Sequence, residues 1–204
     1  MNRVRRPLIL TMLLASTAAA WASLATIDEK APDFELTAAD GKTYILSDFK
    51  GRHVVLEWVN FGCPFVRKHY DSGNMQALQK TYTDSGVVWL SISSSAPGKQ
   101  GHYTGEALQA QLKKEKAVPT AYLVDETGKV GHLYGALTTP HMYVISPEGR
   151  LVYAGGIDNI KSTKVADIPK ATNYVAEALD CCLAGTEISQ KTTAPYGCSV
   201  KYAN

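Results

Sequence analysis

The sequence predicts an α/β domain in which a central mixed β-sheet is flanked by helices and preceded by an N-terminal β-hairpin. Three apolar segments, HVVLEWVN, VVWLSIS and TAYLVDE, are typical of strands buried on both faces of a sheet. They alternate with segments that carry apolar residues at helical spacing, an order that favours a sheet covered by helices. With 204 residues, 45% of them hydrophobic, the chain suffices for one domain with its own core.

The first half of the domain is predicted to form a hairpin and then a strand-helix-strand unit. The segment DFELTAADGKTYIL alternates around Asp40-Gly41, a dipeptide suited to a hairpin turn. HVVLEWVN follows as a strand, and helical spacing then continues up to Gly86 with an interruption at residues 72–74. VVWLSIS is therefore the second central strand.

The second half adds strands to this sheet and ends in a helix. Thr104 is predicted to cap a helix that reaches about Lys116. TAYLVDE, a short helix over residues 130–137 and the strands HMYVIS and LVYAGGI follow. The apolar spacing over residues 170–183 predicts an amphipathic helix, which Gly185 can terminate.

Residues 1–22 have the pattern of a secretory signal peptide. Three arginines precede an apolar run, and Ala20-Trp21-Ala22 supplies the small residues of a cleavage site after Ala22. An uncleaved anchor and a twin-arginine signal are the alternatives. We expect a periplasmic or secreted protein with a domain over residues 23–186 and a C-terminal tail over residues 187–204.

Charge and hydropathy exclude two classes of partner for the mature chain. Without the three arginines of the signal, 18 basic residues face 19 acidic ones, a formal charge of −1. No run of Lys and Arg predicts nucleic-acid binding. No segment after the signal has the roughly 18 apolar residues of a membrane span, so we expect no membrane association after cleavage.

The cysteines give the first indication of chemistry. The chain has four, Cys63, Cys181, Cys182 and Cys198, and an exported protein meets an oxidising compartment where disulfides form. Their spacing fits no zinc site, and we predict neither a metal nor another cofactor. Cys182 continues the apolar stripe of the last helix and Cys181 lies at its edge, so both are predicted to be structural.

Cys63 lies at the junction between a strand and a helix, in NFGCPFVRKH. Pro64 suits the first helical position, so Cys63 would meet the partial positive charge of a helix N-terminus, which favours a thiolate. Arg67 and Lys68 would add positive charge one turn later. The alternative is a small buried apolar residue, but such junctions are where α/β folds build their sites.

Two further side chains deserve weight as functional candidates. Glu57 stands inside the apolar run VVLEWV, where loss of solvation would raise its pKa and suit a general acid or base; a polar strand edge is the alternative. His141 follows Pro140 and could lie near Cys63, although a lone histidine is more often a packing or surface residue. His69 is predicted to be a solvated helix position.

Several motifs of the mature chain resemble those of the thioredoxin fold in its redoxin form, the AhpC/TSA group of peroxiredoxin-like and TlpA-like proteins. They are APDFEL, LSDFKG, VVLEWVNFGCPFV and TTPHMYVISPEGRLVYAG, and the resemblance extends from about Ala31 to Leu183. The resemblance is strongest to single-cysteine members with a CPFV motif and a late GCS motif, here PYGCSVKY. It implies a thioredoxin-like fold and thiol redox chemistry.

The resemblance also assigns roles to individual positions. Cys63 matches the attacking cysteine of the Cys-x-x-Cys motif, whose second position is Val66 here. Glu57 matches a buried carboxylate that moves protons for the thiol. Pro140 matches the cis-proline facing the active cysteine, and the backbone of Thr139 would pair with a bound substrate chain.

Other positions depart from the peroxiredoxin pattern. Peroxiredoxins carry Thr or Ser where this chain has Asn60, and their arginine would fall near Pro140. Asn60, Pro64, Arg67 and His141 are therefore our candidate substrate-binding residues. Cys198 lies in the tail beside Gly197 and is the predicted resolving thiol; the alternative is a tail cysteine without a fixed partner.

Three functional hypotheses follow from these residues. The first is an exported thiol-disulfide oxidoreductase that acts on a disulfide-bearing protein and is recharged by an unidentified thiol electron donor. The second is a peroxiredoxin-like peroxidase with a hydroperoxide substrate. The third is a non-catalytic binding or metal-delivery module, although Arg67 stands where copper-delivering SCO-like proteins keep their second cysteine.

Overall fold

The computed structural model describes residues 24–203, and the predicted signal peptide lies outside the described residues. The described part of the chain has the strands β1 (Glu35–Ala38), β2 (Thr43–Ile45), β3 (Val54–Trp58), β4 (Val88–Ser93), β5 (Ala121–Val124), β6 (Thr138–Thr139), β7 (His141–Ile145), β8 (Leu151–Gly155) and β9 (Cys198–Ser199). Its α-helices are α1 (Pro64–Asp71), α2 (Asn74–Asp84), α3 (Gly105–Glu115), α4 (Lys129–Leu133) and α5 (Tyr174–Ala184). Within residues 24–203, none of the helices has the length and apolar character needed to cross a membrane.

Seven strands form the central mixed sheet in the order β2-β1-β5-β4-β3-β7-β8. β3, β4 and β5 are parallel to one another, while the β1–β2 hairpin and the β7–β8 pair run antiparallel to their neighbours. Helices flank this sheet. The predicted architecture, including the N-terminal hairpin, is confirmed.

The helix boundaries follow local chemistry that the sequence contains. Gly73 adopts a left-handed φ of 75° between α1 and α2, which is the predicted interruption. Asn173 caps α5 by accepting a hydrogen bond from the Ala176 N–H at 2.9 Å, and Gly185 ends the helix with a φ of 68°. Thr104 occupies the N-cap of α3, but its side chain makes no capping hydrogen bond, so the expected cap is only positional.

Alternation along the strands divides the core into two layers. Val55, Trp89 and Met142 face the layer that contains α1, α2 and α5. Trp58 and Tyr143 face the other layer, which contains α4 and the N-terminal segment. The side of the sheet on which a residue lies therefore decides whether it can approach α1.

The C-terminal tail returns across the domain instead of extending from it. Residues 188–195, which have a linker-like composition, run beside β8, where Thr192 bridges Ala154 and the Thr193 N–H donates to the Ala154 carbonyl at 3.3 Å. The following residues, 196–202, form the docked tail. Within it, β9 pairs antiparallel with β6 and sets Cys198 opposite Thr139.

Candidate active site around Cys63 and the docked tail

Cys63 lies at the N-cap of α1, where the chain leaves β3 and a tight turn. The turn is closed by a hydrogen bond from the Cys63 N–H to the Asn60 carbonyl at 2.9 Å, and Pro64 takes the first helical position. The Cys63 side chain has 0% exposed surface. Its sulfur lies 3.1 Å from the Thr139 carbonyl oxygen, to which the thiol form donates.

The docked tail covers this sulfur directly. The Cys198 N–H points at the Cys63 sulfur at 3.4 Å, which brings together two cysteines 135 positions apart in sequence. Gly197 lies against the cis peptide bond between Thr139 and Pro140, and a Cβ at Gly197 would overlap the Thr139 carbonyl. Glycine is thus required for the tail to approach this closely.

The pKa values of the Cys63 and Cys198 thiols are shifted in opposite directions. Burial acts to raise the pKa of the Cys63 thiol, but hydrogen bonds from the Cys198 side chain and from the Val66 and Cys198 N–H groups outweigh it and hold the pKa below its ordinary value. Burial, and then the hydrogen bond and negative charge of Cys63, raise the pKa of Cys198 to about 11. Cys63 is therefore the thiol of the pair that ionises more readily, and Cys198 the one that keeps its proton.

The cations expected beside Cys63 are committed to carboxylates. Arg67 pairs with Asp71 and Glu115, and Lys68 pairs with Asp158 at 2.9 Å. The expectation that these side chains supply the positive charge is wrong. Hydrogen bonds at the sulfur take that role.

Glu57 is the centre of a separate buried hydrogen-bond cluster. Its carboxylate has 0% exposed surface and accepts from the Tyr70 hydroxyl at 2.9 Å, the Gln79 amide at 3.1 Å, the Trp89 indole at 2.8 Å and the Ser91 hydroxyl at 2.7 Å. Burial raises its pKa and these donors partly counter the rise. None of the four partners is Cys63, so any proton exchange between the two would need an intermediary.

The family model for the AhpC/TSA family matches residues 27–154. That range runs from before β1 to Ala154, the penultimate residue of β8, and contains the Cys63 turn and the Thr139-Pro140 peptide bond. The chain belongs to the AhpC/TSA family. The match ends before the docked tail, so Cys198 lies in a part of the chain that the family model does not cover.

Individual relatives agree with this assignment. The thiol-disulfide oxidoreductase ResA of Bacillus thuringiensis is 26% identical over 127 residues, which are 62% of this chain and 67% of that protein. Peroxiredoxin Bcp of Bacillus subtilis is 25% identical over 169 residues, 75% of this chain and 92% of that protein. Both relatives are oxidoreductases of thiol chemistry.

Solved structures support the same fold. An uncharacterized conserved protein from Geobacillus kaustophilus has a TM-score of 0.73 at 27% identity, over 88% of this chain and 94% of that one. The thioredoxin domain of a thiol-disulfide oxidoreductase from Bacteroides vulgatus has a TM-score of 0.51 at 19% identity, over 71% of this chain and 96% of that one. The predicted thioredoxin-like fold is confirmed.

Three candidate substrate-binding residues of this AhpC/TSA chain have other partners. The Asn60 amide is buried and holds the turn, accepting from the Gly62 N–H at 2.8 Å and donating to the Gln100 carbonyl at 3.1 Å. Arg67 makes the ion pairs described above. The His141 ring packs against Tyr143, on the opposite face of the sheet from α1, and burial lowers its pKa to about 4. Pro64 is exposed beside Cys63.

Two residues at the site have no forewarning in local sequence. Asp158 follows β8 and Tyr196 precedes Gly197, and the Tyr196 hydroxyl donates to the Asp158 carboxylate. The contact joins positions 38 residues apart. A carboxylate just after an apolar strand was the only available indication. His69, expected to be solvated, is buried with 1% exposed surface and lies 3.7 Å from the same carboxylate.

The remaining cysteines lie apart from this site. Cys181 and Cys182 are half-buried on α5, and burial raises the pKa of Cys182 to about 11. Within residues 24–203, no group of three His, Cys, Asp or Glu side chains is arranged to hold a metal ion.

Proposed function

We propose that this chain is an exported thiol-disulfide oxidoreductase in which Cys63 attacks a disulfide-bearing protein and Cys198 resolves the product. The observation that carries the proposal is the contact between two cysteines, in which the Cys198 N–H lies 3.4 Å from the sulfur of Cys63, the thiol with the lowered pKa. A low-pKa thiol beside a second thiol is the arrangement that disulfide exchange requires. The relationship to ResA supports a protein disulfide as substrate.

The first step is attack by the Cys63 thiolate on one sulfur of the substrate disulfide. The substrate S–S bond breaks, a mixed disulfide forms at Cys63, and the released substrate thiolate takes a proton from water. Because Cys63 is fully buried under the docked tail, this tail must leave before the substrate can approach.

The second step is attack by Cys198 on the Cys63 sulfur once the tail has docked again. Cys198 gives up its proton, the Cys63–Cys198 disulfide forms, and the second substrate thiol leaves. The substrate gains two electrons from the protein and two protons, one that Cys198 gives up and one that water supplies. Once Cys63 is in a mixed disulfide, its negative charge no longer raises the pKa of Cys198, so the resolving thiol ionises more readily.

A thiol donor restores the reduced protein. Cys198 is half-buried where Cys63 is fully buried, and Cys63, with the lower pKa, is the better leaving group. The donor thiolate therefore attacks Cys198 and releases Cys63 as thiolate. A second donor thiol then frees Cys198.

A hydroperoxide is the second candidate substrate, because peroxiredoxin Bcp is a relative over 92% of its own length. In that reaction the Cys63 thiolate attacks the hydroperoxide, the O–O bond breaks and an alcohol leaves after taking a proton, so that Cys63 becomes a sulfenic acid. Cys198 then condenses with the sulfenic acid to form the Cys63–Cys198 disulfide and release water. The Asn60 amide, which occupies the peroxiredoxin Thr or Ser position, is already paired within its turn. This argues against the peroxidase as the main activity.

Mass spectrometry on the reduced protein after addition of glutathione disulfide tests the proposal. Wild type is expected to form the Cys63–Cys198 disulfide with release of glutathione. Cys198→Ser is expected to accumulate glutathione on Cys63, and Cys63→Ser to form neither product. Cys182→Ser is the matched control and is expected to behave as wild type.

Two outcomes would change the conclusion. If Cys63 is labelled no faster than Cys182 and no Cys63–Cys198 disulfide forms, the oxidoreductase hypothesis is rejected in favour of a non-catalytic binding module. Faster oxidation by hydrogen peroxide than by glutathione disulfide, with sulfenic acid trapped in Cys198→Ser, would make the protein a peroxidase.

A further inference from the structure

A buried charged cluster lies beneath the docked tail, between α1, whose N-cap is Cys63, and the segment after β8. Lys68, on α1, has 1% exposed surface, and its ammonium donates to Asp158 at 2.9 Å and to the Ile160 carbonyl at 3.1 Å. Asp158 has 3% exposed surface. The pair thus ties α1 to the segment after β8.

The cluster has one member from the tail. The Tyr196 hydroxyl donates to the second oxygen of Asp158, and the Tyr196 ring lies 5.8 Å from the Lys68 ammonium and 5.8 Å, edge-on, from the Phe65 ring. Tyr196 is 5% exposed. Tyr196 therefore adds a hydrogen bond from the tail to the Asp158 carboxylate, which already accepts one from Lys68.

A gain in folding stability does not by itself explain a buried charged cluster of this kind. Removing two charges from water costs several kcal/mol for each ion, and apolar residues of the same volume often serve a fold as well. His69, 3.7 Å from Asp158, has its pKa lowered to about 4 by burial and is neutral near pH 7, so Lys68 is the cation that balances Asp158. A cost of this kind is better explained by a positional requirement.

The position in question is that of Cys198. Tyr196 is two residues before Cys198, and Gly197 between them lies on the Thr139-Pro140 peptide bond. Fixing Tyr196 therefore leaves the Cys198 backbone little freedom away from the Cys63 sulfur.

We propose that the Lys68–Asp158 pair is a positioning socket for Tyr196, which sets how often the docked tail presents Cys198 to Cys63. The socket has two roles. Its role in the resolving step rests on the proposed function, whereas its control of access to Cys63 in the reduced protein does not. Hydrogen bonding between Tyr196 and Asp158 raises the effective concentration of Cys198 at Cys63 and keeps the thiolate covered when the tail is docked.

Tyr196→Phe removes the hydrogen bond and keeps the ring. We expect alkylation of Cys63 by iodoacetamide in the reduced protein to become about tenfold faster. A hydrogen bond to a charged group shifts the equilibrium between docked and undocked tail by about that factor. The equilibrium constant for Cys63–Cys198 disulfide formation against glutathione is expected to fall by about the same factor, since it measures the effective concentration of Cys198.

The matched control is Tyr82→Phe. Tyr82 is also 5% exposed and donates to a carboxylate, Asp180 at 2.9 Å, but it joins α2 to α5 away from the tail. Both variants therefore remove a hydrogen bond from a buried tyrosine to a carboxylate, fully buried at Tyr196 and partly buried at Tyr82, so both report the general loss of stability from removing such a bond. A double variant, Lys68→Met with Asp158→Leu, removes the pair without leaving a single buried charge and is expected to repeat the Tyr196→Phe result.

Equal alkylation rates and equal glutathione equilibria in Tyr196→Phe and Tyr82→Phe would overturn the socket. If Tyr196→Phe exposes Cys63 while no protein, wild type included, forms the Cys63–Cys198 disulfide, the socket stands as a cover and the proposed function fails. The two ideas are thus separable.

Discussion

The acidity of Cys63 is a property of its hydrogen bonds. At the scale of single residues, the sulfur has no charge partner among the cations of α1, since Arg67 and Lys68 are each neutralised by carboxylates. What favours its thiolate is a set of donors, with the Cys198 side chain the largest contributor. Cys198, the proposed resolving residue, therefore also lowers the pKa of Cys63.

Cys198→Ala should raise the pKa of Cys63 towards its ordinary value, because the variant loses the side-chain donor while keeping the backbone N–H. Cys198→Ser, which retains a donor, should raise it less. The pKa is read from the ultraviolet absorbance of the thiolate across pH, with the Cys63→Ser spectrum subtracted. Identical titrations in the wild type and Cys198→Ala would contradict the assignment.

The residue scale is also where sequence reasoning was least complete. Cys63, Glu57, Thr139, Pro140 and Cys198 could be singled out because each stands in a short pattern. The partners that define their environment come from distant segments, as Asp158 and Tyr196 do, and no local pattern encodes such contacts. The prediction that His69 is solvated was wrong for the same reason, since the burial of a polar helix residue depends on which segments pack over it.

At the scale of elements, the important feature is the pairing of β6 with β9. Each strand has two residues, which are too few to show an alternation of apolar and polar side chains, so neither strand could be predicted from the sequence pattern. The long strands and the helices, by contrast, follow from apolar spacing. The tail is further held beyond β9, where the Val200 N–H donates to the Leu137 carbonyl at 3.1 Å and Tyr202 donates to the Ala136 carbonyl at 2.7 Å.

Gly197→Ala should undock this strand. Gly197 has a φ of 143°, and an added Cβ would collide with the Thr139 carbonyl, which is backbone and cannot yield. We expect alkylation of Cys63 to accelerate by about tenfold or more and disulfide closure with Cys198 to slow by a similar factor.

Gly149→Ala is the control for this substitution. Gly149 has a φ of 80° but no neighbour within 4 Å of an added Cβ, so the variant has a similar backbone penalty without the collision. Its Cys63 should react as in the wild type. Equal reactivity in both variants would argue that Gly197 does not control docking.

At the scale of the whole molecule, two buried histidines couple folding to pH. Burial lowers the pKa of both His69 and His141 to about 4, from 6.5 in the ordinary case. Between these values the unfolded chain binds protons that the folded chain does not, so these residues reduce stability as pH falls from 6.5 to 4. Glu57, with a raised pKa, acts in the opposite sense as pH rises above 4.5.

His141→Gln should therefore flatten the pH profile of stability. The side-chain amide can still accept from the Leu137 N–H, now at 3.3 Å from the imidazole, but takes up no proton. Relative to wild type, the free energy of unfolding lost between pH 6.5 and pH 4 should shrink by on the order of 3 kcal/mol. Urea unfolding across this range measures it, and parallel profiles for the two proteins would refute the assignment.

The return of the tail to Cys63 has a consequence for the durability of the protein. A bond between sulfurs 135 positions apart would close a loop containing most of the domain. Cross-links of that span restrict the unfolded chain strongly, by ~5 kcal/mol in the loop-entropy description. Each turnover would then alternate the molecule between a stapled state that resists unfolding and proteolysis and an unstapled one that does not, so a cell's supply of thiol donor would govern how long the protein survives as well as how fast it works.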